Sequence, residues 1–300
     1  MSNMTLQGSM TALATPFKDG KLDEAAYEAL VEYQVSNGTS VLIPMGTTGE
    51  AVTMTAPERR RAIEVCLKAN RGRAKVFAGA GSNSTAETIE GVKVARELGA
   101  DGALVVTPYY NKPTQAGLVE HYRLVGKAHP GFPLMAYNVP GRTGVDMLPD
   151  TVKRLLDVKE VVALKEATGN ILRTLDVYEQ VGDRITLLSG DDFVVAPFIF
   201  SGGKGVVSVS SNVAPKQMAD LCTRALAGDI AGARKIQLEL QPLHRLLFIE
   251  SNPIPVKMAL HQMGLFGLEI RPPLTPMTEG NAAKLKEELG RLGLLNRKAS

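Results

Sequence analysis

Lys165 is the residue whose setting most clearly suggests chemistry. It directly follows Val161-Val162-Ala163-Leu164, an apolar run that reads as a strand buried on both faces. In such a strand residues 161, 163 and 165 share one face by the two-residue period. A lysine there is costly to bury as an ammonium, and burial lowers its pKa toward neutrality. Only the free amine attacks a ketone, so a desolvated lysine is what carbonyl chemistry needs. Taken by itself, the same residue is as well explained as a strand-end lysine whose amine extends to solvent.

Other residues gain meaning beside it. Tyr137 ends the apolar run Leu134–Asn138, and a tyrosine next to an imine-forming lysine can give and take protons. Alone it is more often a core tyrosine with its hydroxyl satisfied locally. The Gly46-Thr47-Thr48-Gly49-Glu50 turn offers amides and two hydroxyls that can hold a carboxylate, or it is a plain strand-to-helix turn. Arg142, in Pro140-Gly-Arg-Thr-Gly144, suits bidentate capture of a carboxylate, although many loop arginines are only solvated.

Positioning these groups requires a regular frame. Short apolar runs recur at Met10–Ala14, Val41–Met45, Val76–Gly79, Ala103–Thr107, Leu134–Asn138, Val161–Leu164, Ile185–Leu188 and Gly205–Val209, each ending in turn-forming or small polar residues. Between them, stretches such as Glu24–Val35, Ala56–Ala69, Thr85–Leu98 and Gly117–Ala128 carry apolar residues at helical spacing. Thr55-Ala-Pro-Glu58 reads as a capped helix start, with Glu58 closing a capping box. Alternating strands and helices, eight strands in all, predict an α/β fold, a closed (β/α)8 TIM barrel. An open doubly wound sheet competes, but no fingerprint of its switch point is present. Residues 1–228 form the expected barrel. Residues 229–300, with helices at Asp229–Leu247, Pro255–Met263 and Gly280–Leu292, form a helical extension packed on it, and the proline-rich run Arg271–Pro276 should be an ordered connection.

In such a barrel the active site lies at the carboxyl ends of the strands. That end collects Thr47, Thr48 and Glu50 after strand two, Tyr109 and Tyr110 after strand four, and Tyr137 and Arg142 after strand five. Lys165 and Glu166 lie on strand six, Ser189, Asp191 and Asp192 after strand seven, and Ser208, Ser210 and Ser211 after strand eight. Asp191 and Asp192 read most simply as a helix N-cap pair, and the serines carry only a weak signal for a phosphate site.

The bulk composition sets limits. A net charge of +3 with no basic run gives no nucleic-acid footprint. No apolar stretch is long enough to span a bilayer, and Met1–Met10 lacks the regions of a signal peptide. Cys66 and Cys222 form no disulfide or redox motif, so a cytoplasmic protein is expected. His121, His129, His244 and His261 lack ligand spacing, so no metal site is expected. No phosphate-binding glycine loop appears, and Gly202-Gly-Lys-Gly205 precedes strand eight, at the wrong end of the barrel.

The strings GTTGE (46–50), TPYYNKPTQ (107–115), YNVPGRTG (137–144), LKEATG (164–169) and SGDD (189–192), with the PPLTP element near the C-terminus, together resemble the dihydrodipicolinate synthase family of Schiff-base pyruvate aldolases. The resemblance runs in order along the whole chain. It implies condensation of pyruvate with L-aspartate 4-semialdehyde in lysine and diaminopimelate biosynthesis, without metal or organic cofactor. It assigns Lys165 to the imine, Tyr137 to proton transfer, and Thr47 and Tyr110 to a relay with Tyr137. Tyr110 would come from a neighbouring subunit, which implies a homo-oligomer, a dimer usually paired into a tetramer. Thr48 would bind the pyruvate carboxylate, Val207 and Gly190 would line the pocket through their backbone, and Arg142 would bind the semialdehyde carboxylate. Asn83, Glu87 and Tyr109 match the family's lysine-effector site, whereas Ala51, Ala56 and Arg59 stand where feedback-sensitive bacterial members often carry Ser, His and His. N-acetylneuraminate lyases and keto-deoxy sugar acid aldolases would share Lys165, Tyr137 and the threonine turn. Arg142 within GRTG favours the semialdehyde. A catalytically silent binding paralogue would usually lack the lysine or the tyrosine, and a phosphosugar isomerase would want Asp191 or Asp192 as a catalytic carboxylate.

Overall fold

The computed structural model describes residues 6–295; the part of the signal-peptide reading that rests on residues 1–5 lies outside them. Eight parallel strands run in chain order around a closed barrel: β1 (Gly8–Ala12), β2 (Val41–Ile43), β3 (Lys75–Gly79), β4 (Gly102–Val106), β5 (Leu134–Asn138), β6 (Val161–Glu166), β7 (Thr186–Ser189) and β8 (Gly205–Ser208), which pairs back to β1. Helices alternate with them: α1 (Glu24–Ser36), α2 (Ala56–Asn70), α3 (Thr85–Glu97), α4 (Gln115–Ala128), the one-turn α5 (Pro140–Thr143), α6 (Pro149–Leu155), α7 (Ile171–Val181), α8 (Val195–Phe200) and α9 (Pro215–Leu226). Then follow α10 (Ile230–Leu247), α11 (Ile254–Gln262) and α12 (Glu279–Arg291). A small hairpin, Phe17–Lys18 with Lys21–Leu22, follows β1 and was not anticipated; two-residue strands leave no periodicity to read.

The strand period sorts the side chains into two cores. Met10, Ile43, Phe77, Leu104, Met135, Ala163, Leu188 and Val207 fill the barrel interior, while Leu42, Val76, Val105, Ala136 and Leu164 pack outward against the helices. This double burial is why the strands read as apolar runs rather than alternating ones. One expected alignment fails. Ala163 faces inward, but Val161 joins the outer core, because a register shift pairs Leu134 with Val161 and Met135 with Ala163. The bulge adds one residue and resets the face. Strand β6 also runs on to Glu166, so Lys165 lies within the ladder. At the other end of the chain order, β1 stops at Ala12 rather than Ala14, although the Leu13 amide still donates to the Ile43 carbonyl at 3.0 Å.

Local signals hold where caps define them. The Glu58 carboxylate accepts from the Thr55 amide at 2.8 Å and the Thr55 hydroxyl from the Glu58 amide at 3.4 Å, completing the capping box of α2. Cys66 and Cys222 are buried free thiols on α2 and α9. Asn212, in the loop after β8, ties down the end of β1: its side chain accepts from Ala14 N at 3.0 Å and donates to Ala12 O at 2.8 Å.

Helix α11 is the most fully buried of the C-terminal helices, with every residue from Ile254 to Leu260 buried. Its Lys257 ammonium contacts Glu50 of the turn after β2, and both side chains are only 1% exposed. The other Glu50 oxygen accepts from the Arg271 amide at 2.9 Å, and the Arg271 guanidinium pairs with Glu58 at 2.6 Å. Phe17 lies against both cations, 4.4 Å from Lys257 Nζ and 4.2 Å from Arg271 Cζ. The proline-rich connection is thus ordered at its first residue, as expected. Among the described residues no helix is long and apolar enough to cross a membrane.

Removing one partner of a buried ion pair strands the other charge, at a cost of about 3–5 kcal/mol. Lys257→Met is therefore expected to lower unfolding free energy in urea by about that amount, and Glu50→Gln/Lys257→Met to recover more than half of it. A double variant no more stable than Lys257→Met would show that the isolated charge is not the source of the loss.

Candidate active site

Lys165 projects from the inward face of β6 at the carboxyl-terminal mouth of the barrel and is 6% exposed. Desolvation, the largest influence, brings its ammonium down to about pH 7; Asp192 opposes the shift and Arg142 adds to it. The register places Tyr137 of β5 directly beside it, with Nζ 4.1 Å from the ring centroid. Burial pushes the Tyr137 phenol up to about 12, with Arg142 opposing and Glu166 adding. Next along the ring, Gly190 follows β7. A Cβ there would lie 2.6 Å from Ala167 Cβ and 3.0 Å from Lys165 Cε, so glycine leaves room for the lysine stem.

Glu166, one residue on, points to the opposite side of the strand. It accepts from Asn138 Nδ2 at 3.0 Å and from the Thr168 amide at 2.8 Å, and Asn138 also reaches Asp146, which pairs with Arg173 at 2.7 Å. This network locks the ends of β5 and β6 in register behind Tyr137 and Lys165. Burial raises the Glu166 carboxyl against these hydrogen bonds.

The turn after β2 is unusually tight. Met45 and Glu50 both adopt left-handed backbone, φ 61° and 53°. Gly79 lets β3 approach it, since a Cβ there would sit 2.0 Å from the Met45 carbonyl oxygen. The Gly49 and Glu50 amides donate back to Gly46 and Thr47. What the turn presents to a carboxylate is therefore the Thr47 and Thr48 amides and hydroxyls. Thr47 is exposed and Thr48 buried. The Thr48 hydroxyl accepts from Asn252 Nδ2 at 3.0 Å.

Lys165, Tyr137, Thr47, Thr48, Arg142 and Gly190 all line one cavity of about 180 Å³. Arg142 sits on the one-turn helix α5, not on an irregular loop, and donates to the Asn252 carbonyl at 3.3 Å. Val207 lies beneath, in the interior cluster, and Val209 takes its place on the wall. Tyr110 does not line this cavity. It is 88% exposed, with φ 72°, on the outer loop beside Tyr109. Tyr109 lines an adjoining, mainly apolar cavity with Ala51, Val52, Thr47, Tyr137 and Arg142. Asn83 and Glu87 are not on its wall: the Asn83 carbonyl accepts from Asn111 at 2.9 Å, and Glu87 accepts from Ser82 at 2.7 Å.

Several readings need correction. Asp191 does cap, accepting from the Phe193 amide at 2.8 Å. Asp192 does not: one of its oxygens accepts from the Val209 and Ser210 amides at 3.0 and 2.9 Å, tying the end of β7 to the loop after β8. Ser208 and Ser211 bond each other, and Ser210 bonds His244 Nδ1 at 2.7 Å, all buried. These serines therefore offer no open phosphate cradle. Asn252 and Phe248, also on the cavity wall, escaped the sequence reading because no local pattern marks a residue whose partner is 204 positions away.

The chain is similar to known proteins along nearly its whole length. The sequence profile of the Dihydrodipicolinate synthetase family matches residues 5–292. The 4-hydroxy-tetrahydrodipicolinate synthase of Nitratidesulfovibrio vulgaris (strain DSM 19637 / Miyazaki F) is 46% identical over 293 residues, covering 97% of this chain and 100% of that protein. That of Anaeromyxobacter dehalogenans (strain 2CP-C) is 51% identical over 290 residues, covering 96% and 98%. The fold superposes with a TM-score of 0.95 on the chloride-inhibited dihydrodipicolinate synthase of Acinetobacter baumannii complexed with pyruvate, at 43% identity, covering 97% of this chain and 100% of that one.

The buried amine has a direct consequence. Competitive labelling with a neutral amine reagent small enough for the cavity should titrate Lys165 with a midpoint at about 7, roughly three units below ordinary lysines. A midpoint near 10 would mean that the cavity does not desolvate it.

Proposed function

Because this chain belongs to the dihydrodipicolinate synthetase family, we propose that it condenses pyruvate with L-aspartate 4-semialdehyde, holding the pyruvate as an imine on Lys165. It is an enzyme, a lyase of the class I aldolase type. The observation that carries the reading is the buried Lys165 amine, brought to about 7, against Tyr137 in a cavity that also holds Arg142 and Thr48.

The chemistry follows from those groups. The neutral Lys165 amine adds to C2 of pyruvate, and the carbinolamine loses water to give a protonated imine. That imine is an electron sink, so a proton leaves the methyl carbon and an enamine forms. The enamine carbon attacks the aldehyde, whose oxygen takes up a proton. The amine of the adduct then attacks C2, and Lys165 departs as the ring closes. Tyr137, held protonated at neutrality, is placed to supply and recover protons at these steps. Thr48 with the turn amides holds the pyruvate carboxylate beside Gly190, with Val207 beneath, and Arg142 holds the carboxylate of the semialdehyde.

Tyr110, exposed and absent from the wall of its own Lys165 cavity, fits a relay completed across a subunit interface with Thr47 and Tyr137 of another copy. On this reading the working unit is a homodimer, paired into a tetramer, in the cytoplasm, serving lysine and diaminopimelate synthesis. No metal or organic cofactor enters any step. We infer weak feedback by lysine at Asn83, Glu87 and Tyr109, because Ala51, Ala56 and Arg59 stand where feedback-sensitive bacterial members often carry Ser, His and His.

Incubation with pyruvate and borohydride should give a reduced pyruvyl adduct on Lys165 by intact mass and peptide mapping, absent in Lys165→Arg. A folded wild-type protein that forms no adduct would overturn the imine mechanism. Turnover with aspartate semialdehyde, and none with sugar aldehydes, would then separate this reaction from those of the related aldolases.

A further inference from the structure

We propose that Asn252 is a positioning residue: its side-chain amide makes the Thr48 hydroxyl a donor aimed at the pyruvate carboxylate, while its main-chain carbonyl steadies Arg142. This rests on the proposed function and assigns a part of the same cavity to the C-terminal extension.

Asn252 is 6% exposed and lies on the wall of the Lys165 cavity. Its Nδ2 donates to Thr48 Oγ1 at 3.0 Å, and its carbonyl accepts from Arg142 Nη2 at 3.3 Å. A hydroxyl has one proton and two lone pairs. With one lone pair engaged by Nδ2–H, the Thr48 proton cannot point along that line and is left to donate elsewhere. On the open side of Thr48 is the cavity, where a carboxylate would receive it. The Asn252 Oδ1 is buried and has no partner among the described residues.

Asn252 precedes α11, two residues before Ile254, and Lys257 of that helix holds Glu50, two residues past Thr48. Residues 252 and 257 thus fix residues 48 and 50 as one body. The two contacts of Asn252 are also chemically separable, because a side-chain substitution leaves the carbonyl to Arg142 in place.

The test uses full-length protein with the steady-state constants for both substrates. Asn252→Ala should raise KM for pyruvate about tenfold, the loss expected from one hydrogen bond to an anion-binding group. The isosteric Asn252→Asp should raise it about 100-fold, since a carboxylate takes the Thr48 proton and repels the substrate anion. KM for the semialdehyde should move no more than about twofold in either. In a Thr48→Val background, Asn252→Ala should add less than about a further twofold, the non-additivity of residues that act as a unit. Additive effects, an Asp variant no worse than Ala, or equal rises in both KM values would overturn the proposal. Borohydride trapping of the wild type separates the two levels. No pyruvyl adduct there brings down the imine mechanism and this inference with it, whereas a normal adduct with additive Asn252 effects brings down this inference alone.

Discussion

The constraint on which this structure depends is the cost of burying an amine. Water stabilises an ammonium strongly, and a strand facing the interior of a barrel withdraws that stabilisation. Among the described residues no carboxylate pairs directly with Lys165; Asp192 acts on it through space, and its carboxylate accepts from the Val209 and Ser210 amides. The amine therefore gives up its proton far more readily than a surface lysine does. The surroundings must then hold a neutral, nucleophilic group in one place. Gly190 gives the stem room, Tyr137 covers one side, and the Glu166–Asn138–Asp146–Arg173 network keeps the two strands in register from behind.

The turn after β2 is held by a second constraint, which comes from outside the barrel. Two left-handed residues, Met45 and Glu50, bracket it, and such backbone persists only when neighbours over-determine it. Glu50 supplies the hold by burying its carboxylate against Lys257 and the Arg271 amide. Replacing water around two ions is expensive, so this pair contributes specificity of position more than net stability. The C-terminal helices thereby become part of the cavity mouth, with Phe248 and Asn252 on its wall.

This division explains what could be seen in the sequence. The barrel was legible because its strands are apolar on both faces and each ends in turn-forming or small polar residues. Lys165 stood out because a charge in such a run violates the pattern. Its local alignment was misjudged, since the bulge at Val162 falls in a uniformly apolar stretch where an extra residue leaves no trace. Contacts across about 200 positions, such as Asn252 to Thr48 and Lys257 to Glu50, have no period and no motif. Asp192 was read as a cap because a cap and a loop buttress use the same side chain and differ only in which amides come near. The roles of Tyr110 and Thr47 came from the family resemblance, and a single chain leaves Tyr110 in solvent.

The fields around Lys165 and Tyr137 complete the physical account. Burial acts on both groups but in opposite directions, lowering the amine to about 7 and raising the phenol to about 12. Arg142 lowers both, while Asp192 and Glu166 each raise one, so the charges trim the values that desolvation sets. At neutral pH a substantial share of the amine is therefore in its basic form, 4.1 Å from the ring of a phenol that keeps its proton. Nucleophilic addition needs the first, and loss of water from the adduct needs a proton donor such as the second. A more polar cavity would bring the two values toward those of free lysine and tyrosine, which nearly coincide. The lysine would then be charged at neutrality and the pair would lose its nucleophile. Burial at the barrel mouth therefore does more than shelter the reaction: it separates the protonation states of the two groups that act in it.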